Sequence, residues 1–310
     1  SAGRVQSVAL RIVVDREDEI LAFIPEEFWK LKLNILSEPS FTAELHKING
    51  VVSKVANEKE ATDIKNDCDS SNYILDSIEE KEAFRNPPAP YTTSSLQQDA
   101  SSKIGLSPKL TMSIAQKLYE GGVSIPNHTG GLITYMRTDS VTLSTHALDQ
   151  AKELIVNIFG KEYGLSQPRT YNTKAGKVAA QEAHEAIRPV NLNLKPSDVK
   201  PYLDNKEYKL YSLIWSRTVA TQMQPAKVAT TTYKINGGTK KQYEFTAKGT
   251  KIIFPGFMKA SIEGVEDQDS ALESKEKFLP NVPVKTVFDK TSLVTEQNFT
   301  KPPARYTEAS

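Results

Sequence analysis

The sequence predicts an α+β chain in which a strand-rich domain begins, yields to a helical domain and resumes. Three observations predict it. Before residue 93 the apolar residues tend to alternate, as in Trp29-Lys30-Leu31-Lys32-Leu33-Asn34-Ile35, the period of a half-buried strand. From Thr92 to Gln222 the period becomes helical, with capping residues at Thr92, Ser107 and Ser144. After Pro225 the alternation returns in Thr230 to Ile235 and Tyr243 to Ala247, on either side of Asn236-Gly237-Gly238. The chain thus divides into residues 1–24, 25–92, 93–223, 224–293 and 294–310. An interrupted domain leaves both connections to its insert close together, which allows the insert to swing as a unit.

Each element has its own signal. Val5, Val8, Ile12 and Val13 recur at helical spacing, so residues 4–22 read as a helix. Residues 29–35 and Phe41 to Ile48 read as strands; Asn49-Gly50 is a hairpin signal, with Val51 to Val55 as the return. Residues 57–66 suit a short helix and Tyr73 to Lys81 a strand. Asn86-Pro87-Pro88-Ala89-Pro90 stops regular structure. Helices follow at 94–104, at 108–119 with Pro108 in the first turn, and from Ser144 to Phe159, ended by Gly160. Residues 160–180 read as a mobile polar loop, Gln181 to Ile187 as a short helix, and Lys206 to Gln222 as a helix with Leu210, Leu213, Ile214 and Val219 inward. Further strands fit 252–262 and 284–289. Residues 263–277 read as an exposed acidic loop.

Composition excludes several classes. The 310 residues are 38% hydrophobic and 25% charged, as in soluble globular proteins. No stretch has the roughly 18 apolar residues of a membrane span. The single cysteine, Cys68, permits neither an internal disulfide nor a cysteine zinc site, which fits the reducing cytoplasm. His46, His128, His146 and His184 lack ligand spacing. Both Asp67-Cys68-Asp69 and Asp267-Gln268-Asp269 read as solvated loops. No Gly-x-x-x-x-Gly-Lys-Ser/Thr loop is present, against a nucleotide-driven enzyme. Net charge is only +1, but residues 1–92 carry 11 basic and 17 acidic side chains, whereas residues 93–223 carry 15 and 11. A basic middle segment would attract phosphates.

The most informative stretch lies in that segment: Gly131-Leu132-Ile133-Thr134-Tyr135-Met136-Arg137-Thr138-Asp139-Ser140. On a short strand Tyr135 and Arg137 share a face, placing a phenol beside a permanent cation. A free tyrosine titrates near ~10, so about one in a thousand is phenolate at pH 7, a cost of roughly 4 kcal/mol. A guanidinium favours the charged form and can hold phosphate oxygens by a two-pronged contact. The pair therefore suits attack on a phosphodiester. A half-buried strand tyrosine beside a solvated arginine satisfies the same spacing.

Ile133 to Ser140 resembles the active-site signature of the type IA DNA topoisomerases. So do other stretches, in the family's order: Ser1 to Ala9, Thr93 to Gln98, Ala115 to Glu120, Glu182 to Pro189 and Phe299 to Arg305. The resemblance implies the family's gate domains, an arch of strands interrupted by a winged-helix-like domain that carries the tyrosine. In that scheme residues 1–24 and 294–310 are parts of a separate nucleotide-binding helical domain. It implies single-strand cleavage by transesterification, strand passage and religation, relaxing negatively supercoiled DNA without ATP. By motif, Tyr135 is the nucleophile, Arg137 stabilises the phosphorus centre and His184 contacts phosphate or relays a proton. Ser1, Arg4, Gln6, Arg188 and Arg305 are implied DNA contacts. The family's magnesium is bound by an amino-terminal Toprim domain whose motifs are not found here, so the chain reads as a piece of a longer protein, binding no metal and inactive alone. A non-catalytic helix-turn-helix DNA-binding module is the rival reading. A tyrosine recombinase is disfavoured because His184 and Arg188 follow Tyr135.

Overall fold

The structure, a computed structural model, describes residues 4–121, 125–171, 185–262, 272, 274 and 276–309. Two compact units divide the chain. One comprises Ser1–Ala83, Ala229–Lys251 and Glu276–Tyr306; the other comprises Phe84–Val228, Ile252–Lys275 and Thr307–Ser310. The architecture is α+β, a sheet-forming unit interrupted by a helical one.

The sheet is built from β1 (Glu27–Ile35), β2 (Phe41–Ile48), β3 (Val51–Val52), β4 (Tyr73–Arg85), β5 (Ala226–Gly237), β6 (Tyr243–Phe254), β7 (Val287–Phe288) and β8 (Thr291–Phe299). Their order is β7-β4-β5-β6-β2-β1-β8, with β3 paired to β2. Alternation sets the register: Leu33 lies opposite Ala43 on β2 and Leu293 on β8, and Leu31, Leu33 and Ile35 are fully buried. Asn49 and Gly50 both have positive φ, 51° and 81°, the conformation a two-residue hairpin turn requires. Strand β8 has no counterpart in the sequence reading: of its nine residues only Leu293 is buried, so no alternating apolar signal marks it. The expected strand at 252–262 ends at Phe254, and Gly256–Ile262 forms a 3-10 turn instead. Gly256 has φ 50° and a Cβ there would lie 2.4 Å from the Pro225 carbonyl oxygen.

Helix α1 (Arg4–Ala22) forms as its spacing predicts, yet its apolar residues are bare: Val5 is 80% exposed and Leu21 75%. Its amphipathic face has no cover among the described residues. What holds α1 is its polar side. Arg16 donates to the Tyr306 hydroxyl at 2.8 Å and lies over that ring, and Arg305 makes a two-pronged ion pair with Glu17 at 2.7 and 2.8 Å.

The expectation of a solvated loop at Asp67-Cys68-Asp69 is overturned. These residues end helix α2 (Glu58–Asp69), and Asp67 and Cys68 are buried. The Asp67 carboxylate accepts from the backbone N–H groups of Thr239, Lys240 and Lys241 and from the Thr239 hydroxyl, closing the β5–β6 turn. The Thr239 hydroxyl bond, opposed by burial and reinforced by those N–H groups, holds the carboxyl well below its ordinary value. A depressed carboxyl stabilises above its unfolded pKa of ~3.9 and loses that contribution as pH falls through the folded value. Asp67→Asn is therefore expected to lower the melting temperature at pH 7, and the gap from the parent should narrow progressively as pH falls below about 4. A gap unchanged in acid contradicts this. Asp267-Gln268-Asp269 lies outside the described residues.

The helical unit contains α3 (Thr93–Ile104), α4 (Pro108–Glu120), α5 (Thr145–Phe159), the short α6 (Pro196–Val199) and α7 (Asn205–Thr221). The caps act as their residue types demand. Thr92 and Ser95 form a reciprocal capping box, and the Ser107 and Ser144 hydroxyls accept from Leu110 and Ala147 N–H. Helix α7 is the hub of the core. Leu210, Tyr211, Ile214, Trp215 and Val219 are fully buried, with Leu213 at the edge. The polar tips of Tyr211 and Trp215 bond the Leu194 and Leu192 carbonyls at 2.7 and 2.9 Å, as buried aromatic donors must. The described part of the expected mobile loop is anchored: the Arg169 guanidinium donates to the Thr221 and Met223 carbonyls at 2.8 and 2.9 Å. Residues 185–187 are not helical; Ile187 N–H instead bonds the Tyr91 carbonyl at 2.8 Å. Residues 181–184 of that expected helix lie outside the described residues.

Candidate active site

The segment from Leu132 to Thr138 has no strand ladder and bends at Leu132 and at Met136; a single bridge among the described residues pairs Ile133 with Pro189. Clamps on three sides hold it. Leu132 N–H bonds the Leu118 carbonyl at the end of α4 at 2.6 Å, and Val190 N–H bonds the Leu132 carbonyl at 2.9 Å. Thr134 is tied to the 186–188 segment by its own N–H to the Arg188 carbonyl, 2.9 Å, and by its hydroxyl to the Ala186 carbonyl, 2.7 Å. On the far side Thr93, at the start of α3, donates its hydroxyl to the Met136 carbonyl at 2.7 Å. It also accepts from Thr138 N–H at 2.9 Å.

The alternation expected of a strand survives from Tyr135 onward without the ladder. Met136 and Thr138 are buried, while Tyr135, Arg137 and Asp139 are exposed; before them Leu132 and Ile133 are buried in succession. Burial of Ile133 and Met136 contributes roughly 2 kcal/mol each and locks the backbone from which Tyr135 and Arg137 project. Tyr135 is 44% exposed, open enough for a polymer to reach its hydroxyl. Its ring meets the Tyr119 ring edge-on, centroids 5.4 Å apart and planes at 66°. Such pairs are worth about 1 kcal/mol and fix ring orientation.

Glycine makes this meeting possible. A Cβ on Gly131 would sit 1.9 Å from the Tyr119 carbonyl oxygen, and one on Gly121 would sit 2.7 Å from the Gly130 carbonyl carbon. The chain leaving α4 thus folds back against the end of the same helix, at a distance only glycine permits.

Arg188 occupies a different kind of place. Its side chain is 9% exposed, and its guanidinium donates to Glu185 at 2.7 Å, to the Pro189 carbonyl at 2.9 Å and to the Ser144 hydroxyl at 3.3 Å. Glu185 also accepts from Ser144 N–H at 2.6 Å, so the pair ties the start of α5 to the segment clamping Thr134. Burial works to raise the Glu185 carboxyl, but the Ser144 and Arg188 hydrogen bonds and the Arg188 charge outweigh it and hold the group below its ordinary value. Arg188 is buried but the Glu185 side chain is 31% exposed, so removing the guanidinium leaves a carboxylate that water screens in part. Arg188→Ala is expected to cost about 2 kcal/mol at pH 7, with the difference shrinking below about pH 4 as Glu185 takes up a proton. Denaturant titration at pH 7 and pH 3.5 measures both.

Tyr135, Arg137 and Arg188 belong to the helical unit; Arg4, Gln6 and Arg305 belong to the sheet unit. Arg4 opens α1, Gln6 is exposed one turn in, and Arg305 is engaged by Glu17. Ser1 and His184 lie outside the described residues. Thr93, Tyr119, Thr134, Gly131 and Glu185 are the site-building residues that sequence reasoning left without a role. Among the described residues no group of three or more His, Cys, Asp or Glu is placed to hold a metal. The Asp67 carboxylate of the Asp-x-Asp pair is taken up by its turn.

Comparison with known proteins agrees with this architecture. A family model described as DNA topoisomerase matches residues 1–310. DNA topoisomerase 1 of Rickettsia bellii is 45% identical over all of this chain and 38% of its own length. That of Helicobacter pylori is 42% identical over all of the chain and 40% of its own. The chain therefore spans about two-fifths of these relatives. The solved structure of full-length topoisomerase I from Thermotoga maritima superposes with a TM-score of 0.77 at 34% identity, covering all of this chain and 47% of that one. The chain belongs to the DNA topoisomerase family, that of the bacterial DNA topoisomerase 1 proteins.

Proposed function

We propose that this chain is the tyrosine-bearing part of a type IA enzyme that relaxes negatively supercoiled DNA by cutting and rejoining one strand. The observation that carries the reading is Tyr135: an exposed phenol next to an exposed arginine two residues on, held on a backbone clamped from three sides. The Tyr135 oxygen attacks a backbone phosphorus, the 3′ oxygen leaves and takes up a proton, and the 5′ phosphate stays on the tyrosine. Attack by the same 3′ hydroxyl reverses the step and restores both groups. The phosphodiester energy is kept, so no ATP is consumed.

Arg137 balances the negative charge that builds on the phosphoryl oxygens in the transition state. His184 is assigned to phosphate contact or the proton relay on its motif alone. Arg188 is assigned a positioning role rather than a direct DNA contact, because its guanidinium is already committed to Glu185 and Ser144. Ser1, Arg4, Gln6 and Arg305 are assigned to the path of a single strand, where phosphate contacts and base stacking dominate. Arg305 would exchange Glu17 for phosphate to serve there. Magnesium, when bound, screens the phosphate charge; on this reading a Toprim domain outside this chain holds it, in a cytoplasmic parent. Residues 1–310 alone are then unable to cleave or religate.

The test is adduct mapping. The full-length parent is incubated with a single-stranded oligonucleotide, denatured and digested, and the modified peptide is sequenced by mass spectrometry. The 5′-phosphotyrosine is expected on Tyr135; an adduct on Tyr119, on another side chain or on none overturns the reading.

A further inference from the structure

Away from the Tyr135 segment the helical unit contains a cavity of about 740 Å³, within the range of small-molecule sites. It opens at the far end of α3 from Thr93, where Lys103 and Ile104 line it together with α7 and the 256–262 turn. Its chemistry is two-sided. Ile104, Leu213 and the rings of Tyr208 and Phe257 make an apolar wall, and Arg85, Lys103, Lys209 and Arg217 supply four cations.

Among the described residues one carboxylate answers those cations. Asp99 accepts from Lys103 at 2.7 Å, from Arg217 and from the Tyr91 hydroxyl at 2.6 Å. Arg217 is further fixed by stacking over the Tyr91 ring, 4.3 Å from its centroid, and by donating to the Ala89 carbonyl at 3.1 Å. That network makes a rigid positive floor. Arg85 and Lys209 are exposed and have no ion-pair or hydrogen-bond partner among the described residues. A concave site with surplus positive charge focuses anions. The lining rings of Tyr208 and Phe257 are half-buried, Phe257 packed against the core and Tyr208 with the Lys200 ammonium 5.6 Å from its ring centroid, and half-buried aromatic rings of this kind suit a flat body.

We propose that this cavity binds one nucleotide unit, its phosphate between Arg85 and Lys209 and its base against Tyr208 and Phe257. The unit can come from a free mononucleotide or from a single DNA strand. The inference rests on the cavity alone and not on the chemistry of Tyr135. Nucleotide here is a ligand, not a fuel.

The test is calorimetric titration of the 310-residue chain with adenosine 5′-monophosphate, adenosine and inorganic phosphate. One site for the monophosphate is expected, with adenosine and phosphate each at least tenfold weaker. The double substitution Arg85→Glu, Lys209→Glu should weaken monophosphate binding tenfold or more. Both side chains are exposed and unpaired, so the melting temperature should hold. Tyr208→Ala should weaken monophosphate binding but not phosphate binding. Tyr135→Phe should leave the titration unchanged, separating this site from the cleavage site. Displacement of the monophosphate by oligothymidine identifies the strand as the source; failure to displace it identifies the free nucleotide. No binding at millimolar concentration, equal affinity for phosphate and monophosphate, or undiminished binding by the Arg85, Lys209 variant overturns the proposal.

Discussion

Tyr135→Phe in the full-length parent is expected to lower plasmid relaxation by a thousandfold or more, about 4 kcal/mol of transition-state stabilisation, while leaving the fold intact. The substitution removes one oxygen and keeps the ring. The edge-on contact with Tyr119 depends on the ring, not the hydroxyl. No hydrogen bond within the described residues holds the Tyr135 hydroxyl, and the side chain is 44% exposed. Melting temperature should therefore stay within a degree or so, because surface changes that break no contact are usually within about 0.5 kcal/mol. A covalent mechanism has no substitute for its nucleophile. Agarose gels of supercoiled plasmid and denaturing gels of the oligonucleotide adduct read the two losses together. Relaxation that persists in the Phe variant would leave Tyr135 a surface tyrosine and favour the non-catalytic DNA-binding reading.

Much of the fold was legible because its signals are local. Thr92, Ser107 and Ser144 cap helices that begin where those residues stand, and Asn49-Gly50 turns the hairpin its dihedrals require. The exposed alternation of Tyr135, Arg137 and Asp139 was legible too, since it is a period of two. What failed was decided by partners distant in sequence. The Tyr135 segment has strand periodicity but no ladder, because its backbone groups go to Thr93, Leu118 and residues 186–190 instead of a neighbouring strand. Asp67 looked like a loop aspartate and is a buried anchor, because its ligands lie more than 170 residues later at 239–241. Strand β8 carries a polar sequence because β1 supplies its ladder and only Leu293 faces the core. Arg188 read as an implied DNA contact in a motif; its engagement depends on Glu185 and on Ser144, and no spacing rule connects Ser144 to it.

Gly131→Ala is expected to damage both stability and activity, and for a reason separable from backbone strain. The added methyl would lie 1.9 Å from the Tyr119 carbonyl oxygen, 2.7 Å from its carbonyl carbon and 3.2 Å from the Leu118 carbonyl oxygen. All three are backbone atoms in the last turn of α4, so no side chain can swing aside. Relief requires either unwinding that turn or lifting the segment away, which breaks the Leu132 to Leu118 hydrogen bond at 2.6 Å. Overpacking against backbone is expected to cost about 3 kcal/mol, roughly 6–12 °C in melting temperature for a domain of this size. Lifting also separates Tyr135 from Tyr119, and a displacement of about 1 Å at a reacting group can cost roughly a hundredfold in rate. Gly130→Ala is the control. Gly130 has φ +96° with nothing within 4 Å of an added Cβ, so it pays only the left-handed penalty of about 1–2 kcal/mol and moves neither α4 nor the tyrosine. Thermal melts of both variants, with relaxation assays in the full-length parent, should rank Gly131→Ala clearly below Gly130→Ala on both measures. Equal losses would mean that conformation, not close approach, fixes glycine at this turn, and that Tyr119 does not hold Tyr135 in place.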